Sequence, residues 1–272
     1  MNRVAFKPMN LTQLTDIAIR AAILAGLEIR TVYLSDNFMV TMKEDQTPVT
    51  LADQNAHDVI LKELQITGLQ VLSEEGDPVN FSERKNWDLF WLVDPLDGTK
   101  EFIKRNDEFT VNIALIQKNK PIAGVIYAPV TGELYVGIPG MGAWKIKNPP
   151  ENCTVQLIQH SGEKLQEKTK SSEYIIAVSR SHTNPETEAY IETLRGKYGT
   201  VKIVPMGSSL KICRIAEGTA TIYPKFGQTM EWDTAAGHAI VKAAGENIYL
   251  PDLKTELSYN KENLHNPNFI VV

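Results

Sequence analysis

The places in this chain where chemistry could be done are acidic residues set among turn formers. The apolar run from Leu89 to Val93 stops at Asp94-Pro95-Leu96-Asp97-Gly98-Thr99, and reads as a buried strand that delivers two carboxylates into a turn. Carboxylates at i and i+3 in a Pro-containing turn can aim at one point, and the Leu96 carbonyl between them is a further oxygen donor for a hard cation. Gly98 and Thr99 then open a helix whose N–H groups suit a phosphate. Asp, Pro and Gly are also ordinary turn residues, so this stretch alone leaves a metal site and a plain turn both open.

Three further acidic positions bear on the choice. Ser73-Glu74-Glu75-Gly76-Asp77-Pro78 follows an apolar run at 69–72; if that strand neighbours the one ending at Asp94, Glu74 faces the same crevice, although acidic loops are usually just solvated. Thr50-Leu51-Ala52-Asp53 has the pattern of a capping box, which by itself explains Asp53. Met230-Glu231-Trp232-Asp233-Thr234 places Asp233 where an N-cap belongs, from which a carboxylate can also point past the helix end toward a cation. His57, His160, His182, His238 and His265 form no i, i+4 ligand pair, and Ser208-Ser209 lacks the setting of a serine nucleophile.

The elements that would position these residues follow from periodicity. Leu14, Ile17, Ala18, Ala21, Ala25 and Ile29 recur at helical spacing over about 11–33, and a second helix is expected over about 51–65. A short strand is expected at 40–42 and a polar loop at 43–48. From 111 to 146 the chain reads as a meander of strands at 111–117, 122–127, 133–138 and 143–146. Residues 147–172 are polar and weakly periodic, which suits a junction. Beyond them strands (174–178, 201–204, 219–223, 247–250, 269–272) alternate with helices (186–195, 210–216, 234–244), the pattern of an α/β half with a substantially parallel sheet. Two halves, 1–148 and 149–272, are therefore expected.

With 272 residues, 43% of them apolar, the chain is long enough for a sizeable core. A net charge of −5 with dispersed Lys and Arg argues against a nucleic-acid polymer as partner. Cys153 and Cys213 make neither a disulfide framework nor a zinc pattern. No stretch approaches the ~20 apolar residues of a transmembrane helix, and the N-terminus lacks the build of a secretory signal. The expected location is the cytoplasm, with contact at the inner-membrane surface left open.

Taken together, Ser73-Glu74-Glu75, Asp94-Pro95-Leu96-Asp97-Gly98-Thr99 and Trp232-Asp233-Thr234-Ala235-Ala236-Gly237 resemble the metal-dependent, lithium-sensitive phosphatase superfamily of inositol monophosphatases and bisphosphate nucleotidases. Lys100-Glu101-Phe102, Ser179-Arg180-Ser181-His182, Gly207-Ser208-Ser209-Leu210-Lys211 and Thr229-Met230-Glu231-Trp232-Asp233 resemble the CysQ-type 3'(2'),5'-bisphosphate nucleotidases within it. The resemblance implies a layered α-β-α-β-α sandwich that combines α+β and α/β character. It implies hydrolysis of 3'-phosphoadenosine 5'-phosphate to AMP and phosphate, which clears a by-product of sulfate activation.

By the same resemblance, Glu74, Asp94, Asp97, Asp233 and the Leu96 carbonyl are ligands of two or three Mg2+ ions, with Asp94 bridging. Thr99, backed by Asp53 or Glu74, activates the attacking water. Gly98 and Thr99 hold the transferred phosphate, while Arg180, His182, Lys211 and Ser208 are candidates for the second phosphate and Glu231 for a ribose hydroxyl. A monomer or a homodimer fits. Two alternatives stand beside this reading: an inositol-phosphate or sugar-phosphate monoesterase, and a non-catalytic phosphonucleotide-binding protein that keeps the fold.

Overall fold

The computed structural model describes residues 9–35, 41–42, 48–165, 173–180 and 184–272. His182, part of the strand expected at 40–42 and most of the loop at 43–48 lie outside these residues. In chain order the elements are α1 (Leu11–Tyr33), β1 (Thr41–Met42), β2 (Pro48–Val49), α2 (Leu51–Leu64), β3 (Gln70–Ser73), α3 (Phe81–Arg84), β4 (Leu89–Asp97) and α4 (Thr99–Ile103). Then come β5 (Thr110–Gln117), β6 (Lys120–Ala128), β7 (Glu133–Ile138), β8 (Gly142–Lys147), α5 (Val155–Ser161) and β9 (Glu163–Leu165). The remainder is β10 (Tyr174–Ser179), α6 (Pro185–Tyr198), β11 (Val201–Met206), α7 (Leu210–Ala216), β12 (Tyr223–Lys225), α8 (Glu231–Ala244), β13 (Ile248–Tyr249) and β14 (Phe269–Val271).

A seven-stranded sheet in the order β3-β4-β5-β6-β7-β8-β9 organises the molecule. Period-two alternation sorts its side chains. Trp91, Val93, Val111, Ile113 and Leu115 face one core with α1 and α2. Phe90, Leu92, Ala114, Ile116 and Ile126 face a second core with α7 and α8. Beyond those helices lie two small sheets, β10-β11 and β12-β14-β13. Ala177 of β10 faces the second core, whereas Ile176 and Val178 pack with Ile191 and Leu194 of α6 in a third. The order of layers is therefore α-β-α-β-α, with both faces of the seven-stranded sheet covered.

Two details differ from the sequence expectation. The weakly periodic stretch after 147 contains α5 and β9, and β9 pairs with β8 at the edge of the first sheet. Three residues carry too little periodicity to announce a strand. Among the described residues the second half is parallel only at β10-β11 and at an Ile176–Ile222 bridge, because β14 runs antiparallel to both β12 and β13.

Close approach of α8 to the sheet depends on two glycines. A Cβ on Gly124 would lie 2.2 Å from the Ala236 carbonyl oxygen, and one on Gly137 would lie 2.4 Å from the Ile240 Cα. Their lack of a side chain lets the helix that begins beside Asp233 seat directly on β6 and β7.

Candidate active site

The carboxylates meet where β3, β4 and α8 end. β3 runs parallel to β4, with Ser73 opposite Val93, and the Glu74 N–H donates to the Val93 carbonyl at 3.1 Å. That pairing is the neighbourhood on which the role of Glu74 depended. The stretch from Asp94 to Asp97 is not a turn but the bulged end of β4. Asp94 pairs with Asn112 and Asp97 with Thr110, so three steps on β4 match two on β5. Residues at i and i+3 of a regular strand face opposite sides; one extra residue brings both to the same side. The Asp94 carboxylate also accepts from the Leu96 N–H at 3.1 Å, which fixes its rotamer.

Ligand oxygens of Glu74, Asp94 and Asp233 lie within 4.8 Å of one another. Asp94 is 2% exposed, and burial, followed by repulsion from Glu74, Asp97 and Asp233, raises its pKa well above the ordinary carboxylate value. Asp233 is raised likewise, by burial and then by Asp97 and Glu74. An all-oxygen donor set, part buried and with members that repel one another, fits a hard cation, which would relieve both the desolvation and the repulsion.

Asp233 occupies the third position of α8 rather than its N-cap, which is Met230. Its Oδ2 accepts from the Met230 N–H at 2.9 Å. Helix α8 thus starts one turn earlier than its apolar periodicity suggested, since Glu231 and Trp232 belong to it. Asp53 is built the same way at the start of α2. Its Oδ2 accepts from the Thr50 N–H at 2.7 Å and the Thr50 hydroxyl at 2.6 Å, the expected capping box. The second oxygen does different work: Asp53 Oδ1 accepts from the Thr99 hydroxyl at 3.1 Å. Burial raises the Asp53 pKa first, against the bonds from Thr50 and Thr99.

Gly98 precedes α4 with φ of 99°, a conformation that favours glycine. Thr99, Gly98, Leu96 and Asp97 line one cleft with Glu74, Asp94 and Asp233. Asp97 stands apart from the three-carboxylate group. Its Oδ2 accepts from the Ser209 hydroxyl at 2.6 Å, and the Asn112 amide donates to Ser209 Oγ at 2.9 Å. Ser209 Oγ also lies 2.8 Å from the Asp233 carbonyl oxygen. Ser209 therefore ties the β4 acid, 112 residues before it, to the start of α8, a coupling that sequence spacing does not reveal.

The same cleft carries cations. Lys211 lines the cleft, with its Nζ donating to the carbonyls of Met206 at 3.2 Å and Ser208 at 2.5 Å. Burial lowers its pKa to about 8, against the pull of Asp97. Lys225 of β12 lines it too and is also lowered by burial, against Asp233 and Asp97. It was missed in the sequence because its strand was expected to end at Tyr223; an apolar run ending in Pro-Lys was the available signal. Arg180 lines the rim but is bound bidentately by Glu108. Ser208 sits in the cleft wall with φ of 45°, and its hydroxyl is buried without a hydrogen-bond partner.

Glu231 is not brought to the cleft. Its carboxylate is buried, accepting from the Asn260 N–H at 2.5 Å, the Lys261 N–H at 2.9 Å and Lys261 Nζ at 2.6 Å. The expected ribose contact is replaced by a structural one: Glu231 fastens the first turn of α8 to the C-terminal segment.

The inositol monophosphatase family matches residues 10–269, and the chain belongs to it. Within that class the chain is similar to the 3'(2'),5'-bisphosphate nucleotidase CysQ of Salmonella typhimurium, at 48% identity over 84% of this chain and 87% of the relative. It is 46% identical to the protein of the same name in Escherichia coli K12, over 91% and 94% of the two chains. The crystal structure of CysQ from Bacteroides thetaiotaomicron superposes with a TM-score of 0.89 at 47% identity, covering 96% of this chain and 97% of that one. Among the described residues no helix is long and apolar enough to cross a membrane.

Proposed function

We propose that this chain is a Mg2+-dependent 3'(2'),5'-bisphosphate nucleotidase that converts 3'-phosphoadenosine 5'-phosphate to AMP and phosphate in the cytoplasm. The observation that carries the reading is one cleft lined by two unlike sets of groups: clustered carboxylates beside the Asp53–Thr99 pair, and buried Lys211 and Lys225. The similarity to the CysQ proteins over more than four-fifths of both chains supports the choice of a bisphosphate nucleotide.

In this reading Glu74, Asp94, Asp97, Asp233 and the Leu96 carbonyl hold two or three Mg2+ ions. When bound, such ions supply a nucleophile at neutral pH and stabilise charge on the entering and leaving oxygens. The chain's own groups do the positioning. Thr99 Oγ1 donates to Asp53, so its lone pairs are turned to accept a proton from the attacking water while its own proton passes toward Asp53 Oδ1. The raised pKa of Asp53 makes it a better acceptor than an ordinary carboxylate. As the water oxygen bonds to phosphorus, the bond to the 3'-oxygen breaks and that oxygen leaves with the electron pair and takes a proton from solvent, giving the 3'-hydroxyl; the backbone N–H groups at Gly98 and Thr99 orient the phosphoryl oxygens.

The second phosphate is taken by Lys211 and Lys225, with the Ser208 hydroxyl donating to a substrate oxygen. Residues 1–148 thus supply the water side of the cleft and residues 149–272 the substrate cations, with Asp233 crossing over.

A phosphate-release panel tests this, comparing 3'-phosphoadenosine 5'-phosphate, inositol 1-phosphate and fructose 1,6-bisphosphate with and without Mg2+ and Li+. The bisphosphate nucleotide is expected to react fastest, only with Mg2+, and to be slowed by Li+. Preference for inositol 1-phosphate would move the chain to the monoesterase reading, and no release from any of the three would favour a binding protein.

A further inference from the structure

The rim of the cleft contains an arginine that is already spoken for. Arg180 Nε donates to Glu108 Oε2 and Nη2 to Glu108 Oε1, both at 2.6 Å, and Nη2 also donates to the Pro205 carbonyl at 3.0 Å. The same Glu108 Oε2 accepts from the Gly207 N–H at 2.7 Å. Gly207 leads directly into Ser208, the residue with φ of 45° and a buried hydroxyl that has no partner.

Glu108 is itself wedged. A Cβ on Gly207 would lie 2.7 Å from the Glu108 carbonyl oxygen, and one on Gly98 would lie 3.1 Å from it. The chain therefore threads Glu108 between the loop at the head of α4 and the loop at the head of α7. From the other side Asp107, with φ of 68°, accepts from the Tyr33 hydroxyl of α1 at 2.6 Å. Side chain and backbone of one short segment thus brace both loops that face the phosphate positions.

Glu108 takes the Nε–Nη2 edge of Arg180 and the Pro205 carbonyl takes the other Nη2 proton, so a two-point grip on a phosphate would have to displace one of them. Leaving Glu108 would strand a carboxylate that also accepts from the Gly207 N–H. We propose that Glu108 is a positioning residue for substrate: it holds Gly207, and with it the turn at Ser208 that lines the cleft, and Arg180 acts as its counter-ion rather than as a phosphate ligand. Anion binding then falls to Lys211 and Lys225. The substrate part of this inference rests on the nucleotidase reading; the clasp itself does not.

The test uses Glu108→Ala, Glu108→Gln, Arg180→Ala and the double alanine variant of the full chain. Phosphate release from the bisphosphate nucleotide is read as KM and kcat, beside the thermal midpoint and the exchange rate of the Gly207 amide by NMR. Each single alanine variant is expected to raise KM about tenfold with an unchanged midpoint, and the double variant to be no worse than about twofold beyond either one, as for residues acting as a unit. Glu108→Gln keeps an acceptor for Gly207, so slow exchange should survive in it and be lost in Glu108→Ala.

A loss in Arg180→Ala far larger than in Glu108→Ala, multiplying losses in the double variant, or a tightened KM in Glu108→Ala would overturn the proposal. Should the wild type release no phosphate at all, the nucleotidase reading fails, whereas Gly207 exchange still decides the clasp: unchanged exchange in Glu108→Ala removes it.

Discussion

Helix α7 has a cluster of buried acids at each end, and the two behave oppositely. At its C-terminus Glu217 and Glu133 are met by Lys145 and Arg214: Lys145 Nζ lies 2.7 Å from Glu217 and 2.5 Å from Glu133, and Arg214 lies 2.7 Å and 3.2 Å from the same pair. Burial pushes Glu217 up, but the hydrogen bonds from Lys145 and Arg214 outweigh it and hold its pKa down at about 2. At the N-terminal end, in the cleft, burial raises Asp94, and repulsion from Glu74, Asp97, Asp233 and Asp53 raises it further. In one cluster Lys145 and Arg214 outweigh burial; in the other Lys211 and Lys225 pull on Asp97 and Asp233 without offsetting the burial that raises both acids. Buried charge of the first kind consolidates the fold, whereas the second kind costs stability until something cationic arrives.

Replacing Asp94 should break this contrast most sharply. Asp94→Asn is expected to abolish phosphate release, a loss on the order of a thousandfold or more for a group at the centre of the charge stabilisation. The same change should raise the thermal midpoint in EDTA, because it removes one of the mutually repelling carboxylates. A midpoint that falls in EDTA would mean that the acids in the cleft stabilise the metal-free fold, contrary to the contrast drawn here.

Glu217→Gln sharpens the other side. It leaves Lys145 and Arg214 partly buried with one carboxylate between them, and removing one member of a buried ion network costs about 3 kcal/mol. Urea unfolding measures this, and a loss below about 0.5 kcal/mol would place the network among surface pairs of little consequence. The sign with pH follows from the folded pKa of about 2 against an ordinary 4.5. The stabilisation from Glu217 is fully present above pH 4.5 and is lost as pH falls toward 2. Asp94 and Asp233 run the other way in EDTA, since the folded chain holds their protons to higher pH than the unfolded one, so acidification from neutral pH stabilises. Saturating Mg2+ should remove that second trend and leave the first.

Much of the scaffold could be read from periodicity, because α1, α2 and the strands of the meander each bury one regular face. The three acidic motifs were likewise legible, as chain order and residue type sufficed. What escaped depends on partners remote in sequence. The bulge that turns Asp94 and Asp97 to one side exists only in the pairing of β4 with β5. Ser209 and Asn112 act on Asp97 across the sheet. Lys225 lay past the expected end of its strand. Glu231, an acid beside an acid, looked functional until Lys261 and Asn260 were seen to enclose it. Local pattern specifies elements; the roles of individual polar side chains follow from which elements touch.

The smallest effect expected concerns a residue that joins the structural and chemical uses of a carboxylate. Thr50→Ala removes the hydroxyl that bonds Asp53 Oδ2 at 2.6 Å and accepts from the Ala52 N–H at 3.2 Å. A lost N-cap costs about 1 kcal/mol, and the Thr50 N–H bond to Asp53 is retained. If Asp53 serves the cleft through Thr99, loosening one of its oxygens should also be felt at the other. Hydroxyl bonding lowers the Asp53 pKa, so its loss in Thr50→Ala moves that pKa further up. The acidic limb of kcat against pH should then shift toward higher pH, with KM unchanged. Thr50→Ser, which keeps the hydroxyl, should restore both the stability and the profile. A stability loss in Thr50→Ala with an unmoved pH profile would confine Asp53 to capping.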